Sequence, residues 1–288
     1  MTQKTTTIIH ISDLHFGIDS VCFSDLLETK SLFSKRMIGW SNKRLRKARK
    51  IVPLLRKRLL EHLNRAEWDY LIITGDLTTL ALKKEFMEAR TALDPLIERG
   101  TVLLTPGNHD RYVPHEIRQD QMKSYFLDCF PFHKEYDGTK AFHVSELSNS
   151  LTLFEIDMAS PRSLISSKGS VKLELDQLQQ QIKSSHPNTT KIAIGHYPVF
   201  LPPGIKEGYF HSVENKKALQ QFFYDSDISL YLHGHIHKSW MISGGAHGKY
   251  LSINSAGSCF HETGEWSGYH KITFQNGTFS ISREEIPE

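Results

Sequence analysis

Short apolar runs recur along the chain, and most stop abruptly at glycine, aspartate or histidine. Ile8 to Ile11, Tyr70 to Ile73, Thr101 to Leu104 and Lys191 to Ile194 have the length and β-branched content of buried strands, and Ile228 to Leu232 is a fifth. Between them the apolar spacing turns helical. Ile51, Leu54, Leu55, Leu59 and Leu63 predict a helix over 51–64 with Pro53 near its start. Helices are also expected over 82–99, 115–127 and 171–184, the last presenting Leu173, Leu175, Leu178 and Ile182 on one face. Ser212 reads as the N-cap of a helix that reaches Tyr224. Further strands are expected over 141–144, 151–156, 238–242, 250–253, 269–274 and 278–282, with Gln275-Asn276-Gly277 closing the last pair as a hairpin. Strand and helix alternate through the first two thirds, and the last third is rich in strands. That order predicts an α/β chain with two sheets flanked by helices. Internal repeats and low-complexity linkers are absent.

The five strands named first all end in metal-ligand residues. They lead into Asp13-Leu14-His15, Gly75-Asp76, Gly107-Asn108-His109-Asp110, Gly195-His196 and Gly234-His235-Ile236-His237. A sheet fixes where its strands end, and the loops beyond let side chains converge. Any one of these motifs alone reads as a turn or a cap; five in order at strand ends do not. Carboxylate, amide and imidazole donors suit manganese, zinc, iron or nickel and not a thiolate site. Phosphate-ester hydrolysis needs an activated water and neutralised charge at phosphorus, and two metals about 3.5–4 Å apart supply both.

From Asp13 to His237 this pattern resembles the calcineurin-like metallophosphoesterase family. The resemblance implies a four-layer αββα sandwich. It also implies two divalent metal ions, manganese first, with iron, zinc, nickel or magnesium as alternatives. Asp76 would bridge them, Asp13, His15 and His237 would hold one, and Asn108, His196 and His235 the other. His109 would be the general acid for the leaving oxygen, with Asp110 orienting it. Arg111 is a further candidate, for substrate phosphate. His211 and His261 lie in loops that could face the site.

Charge adds a second picture. The net charge of +3 conceals twelve Lys or Arg and no Asp or Glu between Thr29 and Leu60. The rest of the chain carries 23 of the 35 basic residues against 32 acidic ones, a balance of −9. Met37, Ile38, Trp40 and Leu45 interleave with the basic residues. A solvated face is one reading. The other is an anionic membrane surface contacted through residues 30–58, where an indole sits well at headgroup depth. Three scattered cysteines, Cys22, Cys129 and Cys259, fit a reducing compartment better than a disulfide framework. No apolar run approaches the ~20 residues of a membrane span, and the polar start, Met1 to Thr7, does not read as a signal peptide. The expectation is one domain over 1–288, located in the cytoplasm and peripheral on the inner face of the membrane. A basic insertion at about 29–66 and a Pro/Gly loop at about 200–212 are its possible cap elements.

Departures from the family's branches narrow the substrate. Leu77 to Leu80 after Asp76 lack the tyrosine ligand of purple acid phosphatases and the Asp-Arg-Gly of serine/threonine protein phosphatases. The chain looks more like the bacterial branch near UDP-2,3-diacylglucosamine pyrophosphatases and class III cyclic-nucleotide phosphodiesterases. A phosphodiester or pyrophosphate bond in a nucleotide-linked lipid is therefore the expected target, with a cyclic nucleotide as the alternative. A nuclease is disfavoured because only about 50 residues follow His237, too few for the DNA-binding cap such enzymes usually add. A silent scaffold is disfavoured because every expected ligand and His109 are present.

Overall fold

The computed structural model describes residues 5–28, 35–45, 52–113, 121–129, 142–162, 166–171, 175–184, 188–243, 250–256, 258–259 and 268–286. Their order is β1 (Thr6–Ile11), α1 (Phe23–Glu28), α2 (Lys35–Leu45), α3 (Pro53–Leu63), β2 (Tyr70–Ile73), α4 (Lys83–Arg99), β3 (Thr101–Leu104) and α5 (Gln121–Phe126). Then come β4 (Phe142–Ser148), β5 (Leu151–Ile156), α6 (Leu175–Ser184), β6 (Thr190–Ile194), α7 (Lys216–Asp225), β7 (Ile228–His233), β8 (Trp240–Ser243), β9 (Tyr250–Asn254), β10 (Gly268–Gln275) and β11 (Thr278–Glu285).

Two mixed sheets result, one ordered β11-β10-β1-β2-β3 and the other β4-β5-β6-β7-β9-β8. Alternation along each central strand assigns its two faces. Ile8, Ile72, Ile192, Ile194, Leu230 and Leu232 pack between the sheets. Ile9, Ile11, Leu71 and Ile73 face the other way, onto Leu59 and Leu63 of α3 and Phe86 and Leu93 of α4. Ala193 and Tyr231 meet Leu178 and Ile182 of α6 and Phe222 and Phe223 of α7. The layers therefore run helix, sheet, sheet, helix, the sandwich expected from the sequence.

Several boundaries differ. Ser212 does not cap α7; its hydroxyl donates to Tyr209 O at 3.2 Å. Val213 and Glu214 are held extended against Gly169, so the helix starts only after Asn215, which has φ +54°. The described part of the 115–127 helix is confined to α5. The hairpin is as read, with Gln275 opposite Thr278 and both turn residues at positive φ, as a type I′ turn requires. No helix among the described residues is long and apolar enough to cross a membrane.

Candidate metal centre

The ligand loops leave the carboxyl ends of parallel strands. β1, β2 and β3 run parallel with Ile11 opposite Ile73 and Ile73 opposite Leu104. β6 and β7 do the same in the second sheet, with Ile194 opposite Leu232. Backbone hydrogen bonds then tie loop to loop: Asp13 N–H to Gly75 O at 3.0 Å, His15 N–H to Asp76 O at 2.9 Å, and Gly234 N–H to His196 O at 3.0 Å. Asp13, His15, Asp76 and His235 all have φ between +46° and +77°, the left-handed region that residues with side chains seldom enter. Four predicted ligands thus sit in costly conformations that the surrounding hydrogen bonds must hold. Close approach explains one glycine: a Cβ on Gly107 would lie 2.1 Å from Asp76 Oδ1.

The side chains meet in two groups that share Asp76. Asp13 Oδ1 is 3.3 Å from His237 Nε2 and 3.7 Å from His15 Nε2. Asp76 Oδ2 is 3.8 Å from His15 Nε2 and 3.3 Å from His196 Nε2. His196 Nε2 lies 3.2 Å, and His235 Nδ1 2.8 Å, from Asn108 Oδ1. Asp13 with His15 and His237, and Asp76 with His196 and His235, could each hold a metal ion. Asp13 Oδ1 is buried with no hydrogen-bond partner. A bare anionic oxygen facing imidazole nitrogens is costly unless a cation completes it, so the donor set fits divalent metals of the first row.

Partners behind the rings point the same way. His15 Nδ1 faces Thr78 O at 3.1 Å, His196 Nδ1 faces Thr74 O at 2.7 Å, and His235 Nε2 faces His211 O at 2.8 Å. Each imidazole can donate its far N–H to a carbonyl, which leaves the near nitrogen's lone pair directed into the centre. His109 is arranged alike, with Nδ1 2.6 Å from Thr79 O. Its ring stands edge-on to His15 and stacks on Tyr112, centroids 5.2 Å apart.

Charge is concentrated here. Burial would raise the Asp76 carboxyl, but His196, His109 and His15 hold it far below the ordinary range. Burial likewise opposes protonation of His196, yet Asp76 and Asp13 lift it to about 9. Burial pushes His109 down to about 4.

Two predicted residues have other partners than expected. The Asp110 carboxylate does not back His109; it accepts the N–H groups of Gly107, Leu77 and Thr78 at 2.9 to 3.2 Å. That binds the two central ligand loops together. Arg111 is buried, paired with Asp157 and bonded to Ala159 O at 3.0 Å. His211 contributes through its carbonyl, and its Nδ1 lies 2.7 Å from Ser167 Oγ. His261 lies outside the described residues.

Two residues escaped sequence reasoning. Lys35, within the basic run, is buried with its ammonium 4.7 Å from the centre of the Tyr112 ring that stacks on His109. Glu207 in the Pro/Gly loop brings Oε1 to 3.8 Å from His235 Nε2 while Oε2 takes Lys216 Nζ at 2.8 Å. Nothing in the local sequence marks either, because each owes its place to long-range packing.

Residues 6–239 match the calcineurin-like phosphoesterase family. No curated protein shows significant sequence similarity to the chain. Purple acid phosphatase PPD1 from yellow lupin (Lupinus luteus) seeds is a structural neighbour, with TM-score 0.60 and 10% identity over 98% of this chain and 52% of that one. PhoD is another, with TM-score 0.56 and 8% identity over 98% and 69%. The chain thus spans about half the length of the lupin phosphatase. At these identities the likeness is one of fold.

Proposed function

Because the chain belongs to the calcineurin-like phosphoesterase family, we propose that it is a dinuclear metal-dependent phosphoester hydrolase. The observation that carries this is the sharing of Asp76 between two ligand groups, with Oδ2 3.8 Å from His15 Nε2 and 3.3 Å from His196 Nε2. Asp13, His15 and His237 would hold one ion, Asn108, His196 and His235 the other, and Asp76 both. Two divalent ions, manganese in our reading, supply an activated water and neutralise charge at phosphorus when bound. His109 acts on the leaving oxygen. Thr79 O fixes its Nδ1–H, so Nε2 is the nitrogen that carries the transferred proton. Burial keeps the free ring neutral, and an arriving anionic phosphate favours the imidazolium. Asp110 serves by holding the Gly107 and Leu77 loops at fixed separation.

The substrate we favour is a phosphodiester or pyrophosphate in a nucleotide-linked lipid such as UDP-2,3-diacylglucosamine, met at an anionic bilayer on the inner face of the membrane. Support comes from α1 and α2: Phe23, Leu27 and Ile38 are exposed, and Phe23, ahead of the basic stretch, brings its ring 5.4 Å from that of Trp40 within it. The insertion and the Pro/Gly loop would form the cap. Lys35 Nζ bonds Ser166 O at 2.7 Å, and the next residue, Ser167, donates to Phe210 O at 2.8 Å. A cyclic nucleotide is the second reading, favoured by exposed Tyr209 and Phe210 beside His211, where a base could stack.

The test is turnover of UDP-2,3-diacylglucosamine, cyclic AMP and single-stranded DNA with manganese, magnesium or zinc, together with sedimentation on anionic vesicles at low salt. We expect cleavage of the lipid-linked diphosphate and co-sedimentation. Changing Arg44, Arg46, Lys47 and Arg49 to Glu should abolish sedimentation and spare a soluble chromogenic ester. Efficient cleavage of cyclic AMP with none of the lipid would replace the first reading by the second.

A further inference from the structure

Lys35 is an unbalanced buried cation. It lies in the run that charge patterning assigns to a surface, yet it is 8% exposed. Among the described residues no carboxylate pairs with it. Its ammonium donates to the neutral Ser166 carbonyl at 2.7 Å and sits 4.7 Å from the centre of the Tyr112 ring. An ammonium has three N–H donors. One goes to the carbonyl and one side faces the ring, which among the described residues leaves a donor without an acceptor. A charge held this way is costly unless an anion completes it.

The surroundings say where that anion comes from. Three rings lead out from the metal ligands: His15 to His109 at 5.0 Å, then His109 to Tyr112 at 5.2 Å in a stack, with Lys35 over the far ring at 4.7 Å. Lys35 is therefore separated by the single ring of Tyr112 from His109, the residue assigned to the departing oxygen. Asp76 is the carboxylate whose charge reaches Lys35. Two divalent ions around Asp76 would offset that charge, so the loaded centre leaves Lys35 with still less compensation. Its neighbours hold it in place: Arg36 donates to Leu80 O at 2.8 Å, and a Cβ on Gly39 would sit 2.5 Å from the Tyr112 hydroxyl. This helix is seated on the ligand loop, not free to swing out.

We propose that Lys35 is a substrate-binding residue for a second phosphate, the one that departs with the leaving group of a diphosphate ester. The assignment rests on the diphosphate reading above for its biological substrate and on Lys35's own geometry for the site. Its effect is on which ligands bind, since it touches neither the metal ligands nor the reacting oxygen.

Two competitive inhibitors that differ by one phosphoryl-like group test it: AMP, and α,β-methylene-ADP, which cannot be cleaved between its phosphorus atoms. Inhibition constants are measured for wild type and Lys35→Met, after checking that both melt cooperatively and hold equal metal by elemental analysis. We expect the ratio of the two constants, α,β-methylene-ADP over AMP, to rise at least about tenfold, the scale of one lost charge-assisted hydrogen bond. If Lys35→Met does not fold, Lys35→Gln, which keeps the length and loses the charge, goes through the same assay. A ratio that stays within threefold, whether both constants move together or neither moves, overturns the proposal. Failure of the functional reading looks different: wild type would leave UDP-2,3-diacylglucosamine intact while the inhibitor ratio still depended on Lys35.

Discussion

The ligand loops and the basic run between the first two of them make opposite use of charged residues. In the loops, each side chain lies where its position at a strand end puts it, and the backbone carries the strain. Four of the predicted ligands are at positive φ, and carbonyl partners fix the rings from behind. In the basic run, residue type is a poor guide to place. Lys35, Arg36 and Arg56 are buried, and Lys57 a few ångströms away is exposed. Arg56 donates to Leu14 O and His15 O at 3.1 and 3.0 Å, so a residue counted as surface charge is a strut under a metal loop. Strand ends transmit local sequence directly into the site; a helical insertion reaches it only through packing that sequence neighbours do not encode.

The largest effect expected from breaking this contrast is at its centre. Asp76→Asn should remove nearly all turnover of bis(p-nitrophenyl) phosphate at any manganese concentration, because one oxygen serves both ligand groups. His109→Ala comes next, with a loss of about 10²–10⁴-fold for poor leaving groups and a smaller loss for p-nitrophenolate esters, which need little protonation. An equal loss for both would recast His109 as a positioning group. Glu207→Gln should weaken manganese binding by about tenfold, read by calorimetry, since its carboxylate stands behind His235. Lys216→Met, which breaks the same loop ion pair but keeps that carboxylate, should not.

Within the basic run the contrast can be sharpened by neighbours. Arg56→Met should lower stability by about 2–3 kcal/mol through lost charged hydrogen bonds to the His15 loop. Lys57→Met, whose pairing with Glu61 is on the surface, should stay within about 0.5 kcal/mol. Equal effects in denaturant titrations would erase the distinction. The broadest effect is on pH. His10 and His270 share the Ser255 hydroxyl between the sheets, and burial holds both well below their usual range, His270 at about 3. The unfolded chain protonates them near 6.5 and the folded one does not. Stability is therefore complete above about pH 6.5 and falls as pH drops below it, by about 1.4 kcal/mol per unit for each ring while the folded ring stays neutral. Urea midpoints that stay flat from pH 7 to 4.5 would contradict this.

Much of this architecture was legible in the chain. The central strands announce themselves because both their faces are buried, as Ile8 and Ile9 show by packing into different layers. The sandwich and the convergence of Asp13, His15, Asp76, Asn108, His196, His235 and His237 follow from where those strands stop. The start of α7 was not legible, since Ser212 has the right chemistry for a cap and the chain beyond it is held straight by Gly169. Asp110 was misjudged for a related reason: adjacency in sequence to His109 suggested a pair, while three backbone N–H groups offered the carboxylate better partners. Lys35 and Glu207 were invisible because their neighbours at Ser166 and His235 are far away in the chain.

The central claim is that one carboxylate, Asp76, organises two metal ions. Elemental analysis of active wild-type protein, dialysed against trace manganese, tests it most directly. Two ions per chain are expected in the wild type and at most one in Asp76→Asn; an active wild type with one ion or none would rule out a shared carboxylate.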